Sequence, residues 1–132
     1  MITVVDTNIL LDILMPNRKY LESSKGLLKE AFDSGALVIN EIIYSELSPQ
    51  FKNKEALDKI LQTLNIKFVN LNDISSYHAG QKWNEYRKAG GKRERIIPDF
   101  LIGAFAVKQA DRLLTRDRGF YKKYFKGLKI MN

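Results

Sequence analysis

Two kinds of hydrophobic pattern take turns along nearly the whole chain. Compact apolar runs at residues 2–5 (Ile-Thr-Val-Val), 36–39, 66–71 and 113–115 predict short buried strands, and residues 128–131 predict a last strand at an edge. Between them, apolar positions recur every three or four residues, which predicts helices at about 8–14, 18–33, 41–47, 54–64, 73–89 and 99–108, with a short one from Asp117. The breaks between segments carry suitable stops: Pro16, Gly35, Pro49 and the pair Gly90-Gly91. Asn40 stands where a side-chain cap would open the 41–47 helix. The inward faces predicted are Leu21, Leu28 and Phe32 in the second helix and Leu57, Ile60, Leu61 and Leu64 in the fourth. In the long helix they are Ile74, Tyr77, Trp83 and Tyr86.

Short apolar strands separated by helices are the signature of an α/β fold, a mainly parallel sheet covered on both faces. Ligands bind such sheets beyond the C-terminal ends of the strands, where strand order reverses. Asp6 and Asp117 each fall just after a predicted strand.

The chain has 132 residues, the size of one domain (1–132), and 45% of them are hydrophobic. A chain of this length buries roughly two thirds of its unfolded surface, so its core needs no covalent staple. Cysteine is absent, which excludes disulfides, thiolate metal sites and thiol nucleophiles and fits a reducing cytoplasm. No segment reads as a signal peptide or a membrane span. A formal charge of +7, from 22 Lys and Arg against 15 Asp and Glu, suits a polyanionic partner.

Four carboxylates stand out. Asp6, Asp99 and Asp117 lie at helix starts, where capping and the helix dipole explain an aspartate without any function. Glu46 follows Ile42 by four residues and Ile43 by three, on the edge of a core-facing stripe where an unpaired charge is costly. A cationic partner or a metal is expected there, with reach into solvent as the plainer alternative. Gathered in one crevice, several carboxylates would repel one another, and a hard divalent cation such as Mg²⁺ or Mn²⁺ is the natural remedy. Such a site hydrolyses phosphodiesters without a histidine or serine nucleophile. The one histidine, His78, reads as structural or exposed.

In order and rough spacing, Val4-Val5-Asp6-Thr7-Asn8, Ser45-Glu46-Leu47, Pro98-Asp99-Phe100-Leu101-Ile102-Gly103-Ala104 and Leu113-Leu114-Thr115-Arg116-Asp117-Arg118-Gly119-Phe120 resemble the conserved segments of PIN-domain ribonucleases. They look most like those of the VapC-type toxins of toxin–antitoxin modules. The resemblance implies a three-layer α/β/α domain with a sheet of four to five strands, and metal-dependent cleavage of RNA. It makes Asp6, Glu46, Asp99 and Asp117 the Mg²⁺ or Mn²⁺ ligands, with Asn8 and Thr115 as polar neighbours that orient a carboxylate or a water. It also implies an antitoxin protein as partner and a homodimer.

Around these acids, Lys92, Arg93 and Arg95 precede Asp99, and Arg116 and Arg118 flank Asp117; these five are the candidate phosphate contacts. The basic stretch at residues 92–95 is longer than the family pattern suggests. Lys122, Lys123, Lys126 and Lys129 alternate with Tyr121, Tyr124 and Phe125, a stretch that reads better as a terminal element packing its aromatics inward than as a base-stacking platform. Other functional classes fit less well. A binding module that does not cut is disfavoured by a complete acidic set. An aspartyl-nucleophile phosphatase wants an acid where Asn8 stands, and a phospho-accepting signalling domain wants one where Asn40 or Asn72 stands.

Overall fold

A computed structural model describes residues 1–15, 17–91, 97–117 and 119–132. Five strands form one sheet: β1 (Ile2–Val5), β2 (Ala36–Ile39), β3 (Ile66–Phe68), β4 (Arg112–Leu114) and β5 (Lys129–Met131), in the order β3-β2-β1-β4-β5. Every pairing is parallel, with Val4 opposite Val38 on one side and Leu113 on the other. β1 is therefore central, and the chain builds outward from it first in one direction and then in the other. Val4, Val5, Leu113 and Leu114 are fully buried, as strands covered on both faces require.

The helices are α1 (Thr7–Leu14), α2 (Leu21–Ser34), α3 (Glu41–Leu47), α4 (Lys54–Thr63), α5 (Asp73–Lys88), α6 (Pro98–Gln109) and α7 (Phe120–Tyr124), with a 3-10 turn at Ser48–Gln50 after α3. They complete a three-layer α/β/α sandwich. Asn40 caps α3 as expected, its side-chain oxygen accepting from the backbone N–H groups of Ile42 and Ile43, both at 3.1 Å. Asn53 and Asn72 cap α4 and α5 in the same way. α6 is apolar nearly all round and runs through the core; Phe100, Ile102, Ala104 and Phe105 have no exposed surface.

Where the sequence expectations miss, local chemistry explains the difference. α2 begins at Leu21 rather than residue 18, because the Asn17 side chain accepts from the N–H of Lys19 and closes a turn there. β3 ends at Phe68 rather than residue 71: Glu41 reaches up to take the N–H of Leu71 at 2.8 Å and the amide of Asn70, drawing that segment off the sheet. Phe32 is 48% exposed, and α2 faces inward with Ser24, Leu28 and Ala31 instead. On α5 the buried positions are the small residues Ser75 and Ala79, which let the helix lie close to α6. Ile74 and Tyr77 are left 61% and 72% exposed, while Trp83 and Tyr86 pack against the core.

Candidate active site

The order in which strands are added reverses at β1, and the crevice between the C-terminal ends of β1 and β4 is where such a fold presents its chemistry. Asp6 leaves β1 there, its backbone N–H donating to the carbonyl of Leu114 at 2.9 Å. It is also the N-cap of α1, with Oδ1 accepting from the N–H of Thr7 at 2.7 Å. Its other oxygen, Oδ2, accepts from the Thr115 hydroxyl at 2.7 Å. Thr115 in turn accepts from the Asn8 amide at 3.2 Å and from the N–H of Asp117 at 3.0 Å, while the Asn8 carbonyl oxygen accepts from the N–H of Arg116. Asn8 and Thr115 thus tie the loop after β4 to the start of α1, with the Asp6 carboxylate bonded to Thr115.

Asp99 occupies the first turn of α6 behind Pro98, which starts the helix at no hydrogen-bonding cost. It does not cap the helix: Ile97 holds that position, with no side-chain bond. Asp117 is not the cap of α7 either, Gly119 holding that position, but its Oδ1 accepts from the N–H groups of Gly119 at 3.0 Å and Phe120 at 2.9 Å in the turn that leads into the helix. Glu46 follows the plainer of its two expectations, reaching toward solvent from the stripe edge. It is exposed, and its partner among the described residues is the Thr7 hydroxyl, which donates to Oε1 at 2.6 Å.

Electrostatics connect the four. Burial pushes the Asp6 carboxyl up to about 6, against the pull of its bonds from Thr115 and Thr7; the charges of Asp99 and Glu46 push it further up. Asp99 is raised as well, first by burial, then by the charges of Glu46 and Asp117. Asp6 and Asp99 are thus each shifted by acids that come from other segments of the chain. Among the described residues, none of the four is paired to a lysine, arginine or histidine. Nor, among those residues, do any three acidic or imidazole groups already enclose a point at ion-ligating distance. The donors are nonetheless of the right kind, hard oxygens with no paired cation among the described residues, so they suit a hard divalent ion once their side chains turn toward it.

Arg116, a candidate phosphate contact in the sequence, is engaged by the fold. Its Nε and Nη2 donate to the buried carboxylate of Asp12 at 2.7 and 3.0 Å, Ser24 donates to the same carboxylate, and the guanidinium stacks 4.0 Å above the Tyr20 ring. Lys92, Arg93, Arg95 and Arg118 lie outside the described residues. The terminal aromatics pack inward as read, with Tyr121 and Phe125 almost fully buried. His78 is half-buried and lies edge-on to Phe125; burial, with Lys108 and Lys82 adding to it, lowers its proton affinity. A concavity of about 730 Å³ between α3, α4 and β3, lined by residues such as Tyr44, Asp58 and Phe68, contains none of the candidate acids.

Three residues of the site were not singled out from the sequence. Thr7 sits within the Asp-Thr-Asn segment, but nothing in the sequence shows which acid its hydroxyl reaches. Tyr121 lies between Asp6 and Asp99 yet reads in sequence as one aromatic among several. Asp12 is an acid on an otherwise apolar helix, and that isolation was the available signal.

A sequence profile of the PIN domain matches residues 3–126. The chain belongs to the PIN domain family. Solved structures with the same fold include a VapBC complex from Rickettsia felis, bound to a DNA fragment from its promoter. That chain is 21% identical, with a TM-score of 0.75, and the match covers 100% of this chain and 98% of the other. A VapBC complex from nontypeable Haemophilus influenzae is 20% identical with a TM-score of 0.73, covering 100% and 98%. The FitAcB structure from Neisseria gonorrhoeae is 20% identical with a TM-score of 0.63, covering 100% and 97%. No curated protein matches this PIN domain chain by sequence. No helix among its described residues is long and apolar enough to cross a membrane.

Proposed function

We propose that this PIN domain protein is a divalent-cation-dependent endoribonuclease, the toxin of a toxin–antitoxin pair, with Asp6, Glu46, Asp99 and Asp117 as its catalytic and metal-binding acids. The observation that carries the reading is that Asp6 and Asp99 are both raised by burial and by the charges of carboxylates from other segments, with no paired cation among the described residues. The fold shared with toxin–antitoxin complexes supports the toxin role and an antitoxin protein as partner. Such an enzyme would meet its RNA in the cytoplasm.

The four acids would hold Mg²⁺ or Mn²⁺, which supplies charge neutralisation at the scissile phosphate and a water acidic enough to attack near neutral pH. The chain's own residues do the rest. Thr115, braced by Asn8, keeps Asp6 aimed into the crevice, and Thr7 does the same for Glu46. Asp117 gains a fixed place from its bonds to the turn that starts α7. Lys92, Arg93, Arg95 and Arg118 are assigned to phosphates on either side of the cut, where positive charge offsets the approach of a polyanion to an acidic crevice. The exposed Ile74 and Tyr77 on α5 favour a second copy of the chain as a further partner.

The test is cleavage of a pool of cellular RNAs with Mg²⁺, with Mn²⁺ or with EDTA, comparing the parent protein with Asp6→Asn. Cutting that needs the cation and vanishes in the variant is the expected result. Metal-independent RNA binding by a folded protein that never cuts would move the assignment to a binding module.

A further inference from the structure

The aromatic turn after Asp117 does more than close the core. Tyr121, on α7, is 1% exposed, and its hydroxyl lies 3.4 Å from Oδ2 of Asp6 and 3.5 Å from Oδ1 of Asp99. Asp6 has other donors in Thr115 and the N–H of Thr7. Asp99 has none: among the described residues, the Tyr121 hydroxyl is the one donor within reach of its carboxylate. The phenol is the point at which the acid on β1 and the acid on α6 meet a common partner.

Its position is firmly set. The Tyr121 ring lies edge-on to Phe120, with centroids 5.3 Å apart, and beside Phe125 at 6.4 Å. Both neighbours contact Phe100, at 4.9 and 6.2 Å, and Phe100 is the residue next to Asp99. One aromatic cluster therefore clamps the helix carrying the hydroxyl to the helix carrying the carboxylate. Gly103 makes this possible, since a Cβ there would overlap the Phe125 ring.

A phenol has one proton to donate and serves one carboxylate at a time. Both distances exceed the roughly 2.7–2.8 Å preferred for O–H···O, so the hydroxyl is committed to neither acceptor and stands within reach of both. Two carboxylates left without such a partner would repel one another and swing apart. Resting on the nuclease reading above, we propose that Tyr121 is a positioning residue: its hydroxyl, within reach of both Asp6 and Asp99, keeps the two carboxylates facing one crevice, from which they can turn onto a divalent cation. Groups that orient ligating carboxylates in this way typically change metal affinity by about 10–100-fold when removed.

The experiment is a titration of Mn²⁺ into the full chain, followed by the electron paramagnetic resonance signal of the free ion, for the parent, Tyr121→Phe and Asp99→Asn. Tyr121→Phe keeps the ring and its packing and removes only the oxygen. The expected result is Mn²⁺ binding weakened by about tenfold or more, together with RNA cleavage that fails at low Mn²⁺ and recovers at high Mn²⁺. A folded Tyr121→Phe that binds Mn²⁺ with the parent's affinity, and cuts with the parent's Mn²⁺ dependence, overturns the proposal while leaving the nuclease intact. A parent that binds no Mn²⁺ and cuts no RNA overturns the nuclease reading and this inference with it. Should Tyr121→Phe fail to fold, 3-fluorotyrosine placed at position 121 of the parent gives the answer by fluorine NMR. Its resonance is expected to move on adding Mg²⁺ in the parent and to stay still in Asp99→Asn; a resonance unmoved in the parent counts against the proposal.

Discussion

Burial gives Asp6 a proton affinity it would not have in water, and that has a consequence for stability. An unfolded Asp6 loses its proton near 3.8, whereas the folded residue holds it to about 6. Between those values the folded state binds more protons, so stability falls as pH rises from about 4 to about 6, and the loss persists above that range. The whole difference amounts to about 3 kcal/mol. Asp99 is shifted in the same direction and adds to the fall. Urea unfolding in EDTA across this pH range is expected to show the decline in the parent and most of it removed in Asp6→Asn. An equal decline in both would mean that the carboxyl is not strained. This is also the scale at which sequence was most informative, since Asp6, Asp99, Asp117, Asn8 and Thr115 all stand in or beside the crevice. It was least informative for Thr7 and Tyr121. Hydroxyl acceptors are chosen by tertiary approach, and an aromatic on a short helix announces burial without saying what its polar end will touch.

Elements rather than residues decide the role of Arg116. Leaving β4, it joins α1 through Asp12, whose side chain is 3% exposed, and α2 through the Tyr20 ring and, by way of Asp12, Ser24. Removing the guanidinium would strand a buried carboxylate, a loss that reaches 3–5 kcal/mol for fully buried pairs and is about 2 kcal/mol here because Arg116 itself is partly exposed. Arg116→Ala is accordingly expected to lower the unfolding midpoint, while the protein that remains folded cuts RNA at nearly the parent's KM. A raised KM with unchanged stability would return Arg116 to the phosphate contacts. The same scale shows why helix existence was legible and helix facing was not. Period and caps mark α2 and α5 to within a few residues. The face that turns inward, however, was read from large apolar residues, and α5 is seated by Ser75 and Ala79, small side chains that permit a close approach to α6. Ile74 and Tyr77 follow the helical period as well as Trp83 does, yet they point away.

At the scale of the whole molecule, one topological fact organises the chemistry. β1 lies in the middle of the sheet, with β2 on one side and β4 on the other, so the loops after β1 and β4 end side by side. Strand order cannot be read from alternating segments alone, and the convergence of the acids depended on it. α3 and α6 then bring Glu46 and Asp99 to the same end. On the proposed function, four residues separated by as much as most of the chain act as one centre. The most direct measurement is the single-turnover RNA cleavage rate in Mg²⁺ of Asp6→Asn, Glu46→Gln, Asp99→Asn and Asp117→Asn, alongside the double variant Asp6→Asn/Asp99→Asn. Each single change is expected to lower the rate by roughly a thousandfold or more, and the double variant to be little worse than either parent single variant, as groups that work as a unit behave. Any of the four single variants, folded and cutting at the parent's rate, would contradict it.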